Sequence, residues 1–247
     1  LFRVFLCFSL LLPMACLSGA AGPGDDVNDP KEEEEEEPSI KKDYTLHMAL
    51  GASATAGAGL DASEDLYVQQ LHNRMLGQWE DLILENRAVG GRRMTQMIDD
   101  LKDLTQDDVV FMTIFPSTDY AYTAPEQFEK HAKSLLNAID AFNVTVLWGD
   151  RRINPDLVCG VGEGPGGCYS ESAANQLIEK NDHLTTLAED YDWLFIVPLE
   201  DQQAAEPNWY DDDRNINGEG HTYLANLFIA KLEDLGVLDA IQEDVQE

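Results

Sequence analysis

Ser53 is the residue of this chain best placed to do chemistry. It stands in Gly51-Ala52-Ser53-Ala54-Thr55-Ala56-Gly57, directly after the apolar run Leu46–Leu50. A serine among small residues at a strand-to-loop turn can hold its hydroxyl in the open beside free backbone N–H groups, the setting of a nucleophile. Small residues there also serve a plain tight turn. The hydroxyl attacks only if a neighbouring base takes its proton and later returns it to the leaving group. The chain has five histidines for that role: His47, His72, His131, His183 and His221. The first lies in an expected strand and the next three in expected helices, where a packed or solvated ring is the ordinary reading. His221 opens the last expected helix. Asp211-Asp212-Asp213 lacks the Asp/Asn/Gly pattern of a cation loop and reads as a solvated turn, so no metal is expected. Gly57-Ala58-Gly59 lies too far past the strand end for a dinucleotide loop, and no cofactor is expected. Arg151 and Arg152 read as partners of local acids, and Tyr120 and Tyr122 either cover the core or line a cleft.

The elements that must position Ser53 follow from periodicity. Strands are expected at 46–50, 81–85, 109–114, 144–148 and 193–197, the last ended by Pro198. Helices are expected at 62–76, 93–104, 125–142, 171–190 and 220–235. Continuous apolar strands alternating with amphipathic helices argue a parallel sheet covered on both faces, a three-layer α/β/α sandwich of about five strands. Sites in such sheets form at the carboxyl ends of the strands. Attention therefore goes to the residues after Leu50, Glu85, Ile114 and Trp148.

Three further segments stand at such places. They are Asn86-Arg87-Ala88-Val89-Gly90-Gly91, Pro116-Ser117-Thr118-Asp119, and Asp212-Asp213-Arg214-Asn215-Ile216-Asn217-Gly218-Glu219-Gly220-His221. In this order, together with the Ser53 segment, they resemble the blocks of the SGNH (GDSL-type) hydrolases over about residues 44 to 240. The resemblance implies a flavodoxin-like fold and cleavage of acyl or acetyl esters through a serine. It makes Ser53 the nucleophile, within a Gly-Asp-Ser block whose middle residue is here Ala52. Ser53, Gly91 and Thr118 then form the oxyanion hole, with Thr118 where the family has asparagine. Asp212 matches the family's aspartate, and Asn215 takes the place of its catalytic histidine. An amide cannot shuttle a proton, and losing one oxyanion donor costs roughly 10²–10³ in rate. Weak or absent hydrolysis is expected. The alternatives are a non-catalytic binder of a glycan or ester, and an esterase using His221 as a displaced base. The implied partner is a small-molecule or carbohydrate ester.

Charge narrows the partners further. The chain of 247 residues has 16 Lys+Arg against 47 Asp+Glu, a net charge of −31. Three lysines and nine acids in 21–42 account for only a small part of it, so the body is itself acidic. Such a body repels phosphate backbones, and no nucleic-acid partner is expected. Residues 1–20 read as a secretory signal: Arg3, an apolar run from Val4 to Leu12, then Pro13 and small residues. The run is shorter than the roughly 20 residues that span a bilayer, so no transmembrane segment is expected. Cys16 after Ala15 opens a lipid-anchor reading beside plain cleavage after Ala20. Residues 21–42, with Glu32–Glu37, read as an acidic disordered tether, and 43–247 as the hydrolase-like domain. The protein is expected to be secreted, periplasmic or at the cell surface. In an oxidising compartment, Cys159 and Cys168, which bracket the glycine-rich loop 160–167, are expected to form a disulfide.

Overall fold

The structure is a computed structural model that describes residues 42–105, 108–153, 158–159, 169–201 and 216–239, with the backbone alone at 152–153, 158–159, 169 and 200–201. The expected signal, the tether up to Lys41, Cys168, and the segment holding Asp212 and Asn215 lie outside the described residues. Lys42 is tied to the body. Its Nζ donates to Asn143 Oδ1 at 3.1 Å, and its carbonyl accepts from Trp79 Nε1 at 2.9 Å.

Apolar, β-branched runs form the strands β1 (Leu46–Gly51), β2 (Ile83–Asn86), β3 (Val109–Phe115), β4 (Asn143–Ile153) and β7 (Leu194–Asp201), with a two-strand side ribbon β5 (Val158–Cys159) and β6 (Tyr169–Ser170). The helices are α1 (Ser53–Ala56), α2 (Tyr67–Leu76), α3 (Met94–Met97), α4 (Ser117–Tyr122), α5 (Pro125–Ile139), α6 (Glu171–Ala188) and α7 (Gly218–Asp234). The main sheet is fully parallel in the order β2-β1-β3-β4-β7. Helix α2 packs on α7, and α5 on α6. Right-handed crossovers from a strand order that reverses at β1 put these two pairs on opposite faces. The expected three-layer sandwich with five parallel strands is what the chain builds. Its core runs through Met48, Leu50, Phe111, Met112, Val146 and Trp148, all fully buried on the sheet.

The boundaries differ where polar residues sit in pairing positions. Strand β4 continues past Trp148 to Ile153, because Gly149–Ile153 pair with Val197–Asp201 of β7. Pro198 does not end β7. That strand is the sheet edge, where a residue lacking an N–H is tolerated, and the next amide, Leu199 N, donates to Asp150 Oδ1 at 3.3 Å. The expected helix 62–76 is broken at Leu66, whose backbone is extended between a short 3₁₀ turn and α2. Past α3 the chain tightens into a 3₁₀ turn over Ile98–Asp103. Among the described residues no helix is long and apolar enough to cross a membrane, and no group of metal-ligating side chains is assembled.

Two histidines are buried beneath β1. His47 is fully buried and His72 nearly so, with ring centroids 5.7 Å apart. His47 Nε2 pairs with Thr113 Oγ1 at 3.1 Å, while both Nδ1 atoms lack a partner. Burial, and then the neighbouring ring, push His47 down from 6.5 to about 3. Burial also lowers His72. The unfolded chain therefore binds protons that the fold refuses. Stability is lost as pH falls from about 6.5 toward 3, by about 1.4 kcal/mol per pH unit for each ring that stays neutral. Chemical denaturation from pH 7 to 4 is expected to show a falling midpoint, with a shallower fall in His47→Gln. Equal slopes for the two proteins would contradict this assignment.

Candidate functional site

The reversal of strand order falls between β1 and β3, and the crevice outside their carboxyl ends is where such sheets bind ligands. Ser53 follows β1 and Thr118 follows β3, with Gly51 in register beside Phe115. Gly51 makes this possible. A Cβ there would lie 2.1 Å from Thr55 Oγ1 and 2.9 Å from the Phe115 carbonyl oxygen, so the chain can turn directly from strand into α1 only without a side chain. Ser53 is the first residue of that one-turn helix, and no side chain caps it. The first N–H groups are thereby left uncommitted beside the hydroxyl. Gly57, at φ 74°, closes the turn in the left-handed region.

The loop after β2 comes to the same place. Asn86 holds it, donating from Nδ2 to the Thr55 carbonyl at 2.8 Å and accepting from Ala88 N at 3.1 Å. Val89 N donates to the Gly51 carbonyl at 3.3 Å. The Ser53 hydroxyl then faces Gly90, lying 3.7 Å from where a Cβ would stand on that residue. Gly91 follows with φ 76°, a conformation that suits glycine, and open space on its Cβ side. Thr118 is half-buried in α4, which packs beside α1. Asp119, next to it, is fully buried and accepts from Met94 N at 2.7 Å.

Ser53 and Thr118 thus follow the carboxyl ends of β1 and β3, and Gly91 lies in the loop after β2. Asp212 and Asn215 lie outside the described residues. Cys159 begins the side ribbon opposite Ser170, while Cys168, its expected disulfide partner, lies outside the described residues. Tyr120 is buried and Tyr122 is exposed, so only the second reaches solvent beside α4. The Arg151 carbonyl accepts from Asn181 Nδ2 at 2.8 Å.

His221 does not take the displaced-base role. Its ring is fully buried and stacked on Tyr67, with Nδ1 accepting from Tyr67 N at 3.3 Å. Burial lowers its pKa to about 4, so the ring is neutral near pH 7. With Nδ1 occupied as acceptor, the single ring proton sits on Nε2 and no lone pair is left to receive one from serine. Among the described residues, no side chain hydrogen-bonds the Ser53 hydroxyl.

The histidine instead belongs to a support that sequence reading missed. Tyr67 OH pairs with Thr55 Oγ1 at 3.0 Å, so His221, Tyr67 and Thr55 link the start of α7 through α2 to the turn carrying Ser53. A second missed residue is Lys180, almost fully buried on α6, whose Nζ donates to the Tyr120 carbonyl at 2.7 Å and steadies α4. Burial is the main cause of its lowered pKa. No local pattern announces either link, because each joins elements distant in sequence.

The close approach at Gly51 gives a direct test. Gly51→Ala is expected to cost about 1–3 kcal/mol of stability by overpacking. Denaturant titration checks this, and an unchanged midpoint would mean that Thr55 yields freely.

No family model and no curated relative matches this sequence. Solved structures do. A GDSL-like lipase candidate from Parabacteroides merdae superposes with TM-score 0.60 at 18% identity, covering 81% of this chain and 100% of that one. The esterase EstA from a Pseudoalteromonas species gives 0.57 at 14% identity, covering 77% and 97%. A variant of an acetyl xylan esterase from Geobacillus stearothermophilus gives 0.53 at 16%, covering 81% and 98%. Strand order, the turn at Ser53 and these superpositions agree that the chain carries the SGNH (GDSL-type) hydrolase fold.

Proposed function

We propose that this protein is an exported SGNH-type ester hydrolase with a weakened site, which holds a small-molecule or carbohydrate ester and turns it over slowly or not at all. The observation that carries the reading is the approach of the Ser53 hydroxyl to Gly90 at the β1–β3 crevice while the buried His221 ring is committed to Tyr67. On this reading Ser53 is the nucleophile and backbone N–H groups beside it are the oxyanion donors, while among the described residues no side chain hydrogen-bonds the Ser53 hydroxyl to serve as its base. Asn215, at the family's histidine position in the sequence, supplies no basicity near neutral pH. Thr118 offers a short hydroxyl where the family has an amide, so the oxyanion hole is weakened as well. Esterases of the same fold, among them one acting on acetylated mannans, support an acyl or acetyl ester as the ligand. The apolar run after Arg3 supports export, and an oxidising compartment in turn supports a Cys159–Cys168 bridge.

Hydrolysis of short p-nitrophenyl esters tests the reading. The unaltered protein is expected near background, and Asn215→His is expected to raise turnover by about 10²-fold or more, the usual scale of a general base. Adding Ser53→Ala should remove that gain. Robust turnover in the unaltered protein that disappears with Ser53→Ala would show that another group serves as base. A histidine variant that stays at background would overturn the assignment of Asn215.

A further inference from the structure

The Asp119 carboxylate is the point at which both sides of the oxyanion pocket are tied together. It is fully buried, one residue past Thr118. Its Oδ2 accepts from Met94 N, the first amide of α3, at 2.7 Å. Gly91 stands three residues earlier on that same short turn. The Asp119 Oδ1 accepts from Thr123 Oγ1 at 3.2 Å and pairs with His131 Nδ1 at 3.2 Å. Arg93 adds a second strap from the Gly91 side, donating from Nη1 to Thr123 Oγ1 at 3.4 Å. The loop after β2 and the helix after β3, which share no covalent link nearer than the whole of α3 and β3, are thus joined through one side chain.

His131 completes the arrangement from α5. A buried carboxylate is costly unless donors surround it, and the imidazole supplies one with its Nδ1–H. That bond settles the tautomer. In the neutral ring Nε2 becomes the acceptor, and it lies 2.5 Å from the Gln127 side-chain nitrogen, which donates to it. Only a small part of the His131 side chain is exposed. Asp119 thus has donors on both oxygens, and each donor comes from a different element: α3, the end of α4, and α5.

We infer that Asp119 and His131 are a positioning pair that sets the distance between the Gly91 and Thr118 donors. This rests on the assignment of Ser53, Gly91 and Thr118 under the proposed function. Neither residue touches the reacting atoms. A donor moved by a fraction of an ångström loses most of what it gives a developing oxyanion, yet barely alters binding of the neutral ester. The effect therefore falls on kcat rather than KM. Asp119→Asn keeps the size of the side chain but removes its charge: with the amide nitrogen toward Met94 N that bond is lost, and with it toward Thr123 and His131 both partners must turn from donor to acceptor and the imidazole must change tautomer, which disturbs its bond to Gln127.

Two measurements test this. In the Asn215→His background, Asp119→Asn is expected to lower kcat at least about tenfold, with KM changed less than about twofold. Adding His131→Gln should recover part of that loss, since its carbonyl can accept from the new amide; each change alone and the pair form a double-mutant cycle. In the otherwise unaltered protein, Asp119→Asn is expected to speed amide hydrogen exchange about tenfold or more at Met94 and at Arg92, whose N–H closes the turn around Gly91 on the Val89 carbonyl, while β1 and α5 keep their protection. Thr123→Val, which removes one donor to the same carboxylate, should give the same local pattern at smaller amplitude and serves where Asp119→Asn does not fold. Unchanged exchange at Arg92 and Met94 would overturn the inference, and so would uniform loss across β1 and α5, which marks a general structural role. Equal effects on kcat and KM, or no coupling in the cycle, would overturn it too. If Asn215→His has no Ser53-dependent turnover, the proposed function fails, and the exchange measurement alone decides the role of Asp119.

Discussion

A side chain that is absent holds this site in place. Between β1 and β3 the backbone has to leave the sheet, reverse, and present Ser53 within about one residue of the strand end. The space for that manoeuvre is already taken by the Thr55 side chain and the Phe115 carbonyl oxygen, at 2.1 Å and 2.9 Å from where a Cβ on Gly51 would lie. Close packing leaves no slack for an extra carbon. Everything that makes Ser53 a candidate nucleophile follows from the tightness of this turn: the hydroxyl just past the strand end, the uncapped N–H groups of α1, and the approach of Gly90.

Around that turn the structure uses polar side chains as ties rather than as reagents. Asn86 bonds the β2 loop to the Thr55 carbonyl, Tyr67 bonds the Thr55 hydroxyl, and His221 accepts from the Tyr67 amide. On the other wall, Lys180 bonds the Tyr120 carbonyl and Asp119 bonds Met94 N. Burial makes each tie strong, because water cannot compete for the same donors and acceptors. It also removes the titratable groups from solution chemistry: burial lowers the affinity of His47, His72 and His221 for protons, and they remain neutral partners. A histidine close in sequence to the expected catalytic position is therefore not a substitute base. Its acceptor nitrogen is already used.

Much of the fold was legible because the parallel sheet leaves a plain record. Strands buried on both faces must be largely apolar, as in Val109–Ile114 and Val144–Trp148, each interrupted by a single buried threonine, and crossover helices must be amphipathic. The legibility ended where pairing did not depend on apolar side chains. Gly149–Ile153 and Pro198–Asp201 lengthen β4 and β7 through backbone bonds that composition does not report. The short helices α1 and α4 were equally silent, since four to six residues carry no period. The strand-end rule pointed to the segments holding Ser53, Gly91 and Thr118, and the resemblance to the SGNH blocks singled out those residues within them.

By itself the sequence determined the layer architecture, the strand ends that form the crevice, the strong negative charge, and the presence of asparagine and threonine where the related esterases are expected to carry a base and an amide. These are properties of residue type and local order, which a linear chain displays directly. Only the tertiary structure decided that His221 serves Tyr67, that Lys180 and Asp119 are buried donors and acceptors within the frame, and that His131 reaches Asp119 from a separate helix. Those pairings join residues from 12 to 154 positions apart. A hydrogen bond depends on distance and angle in space, and nothing along the chain records which distant groups will meet at 3 Å.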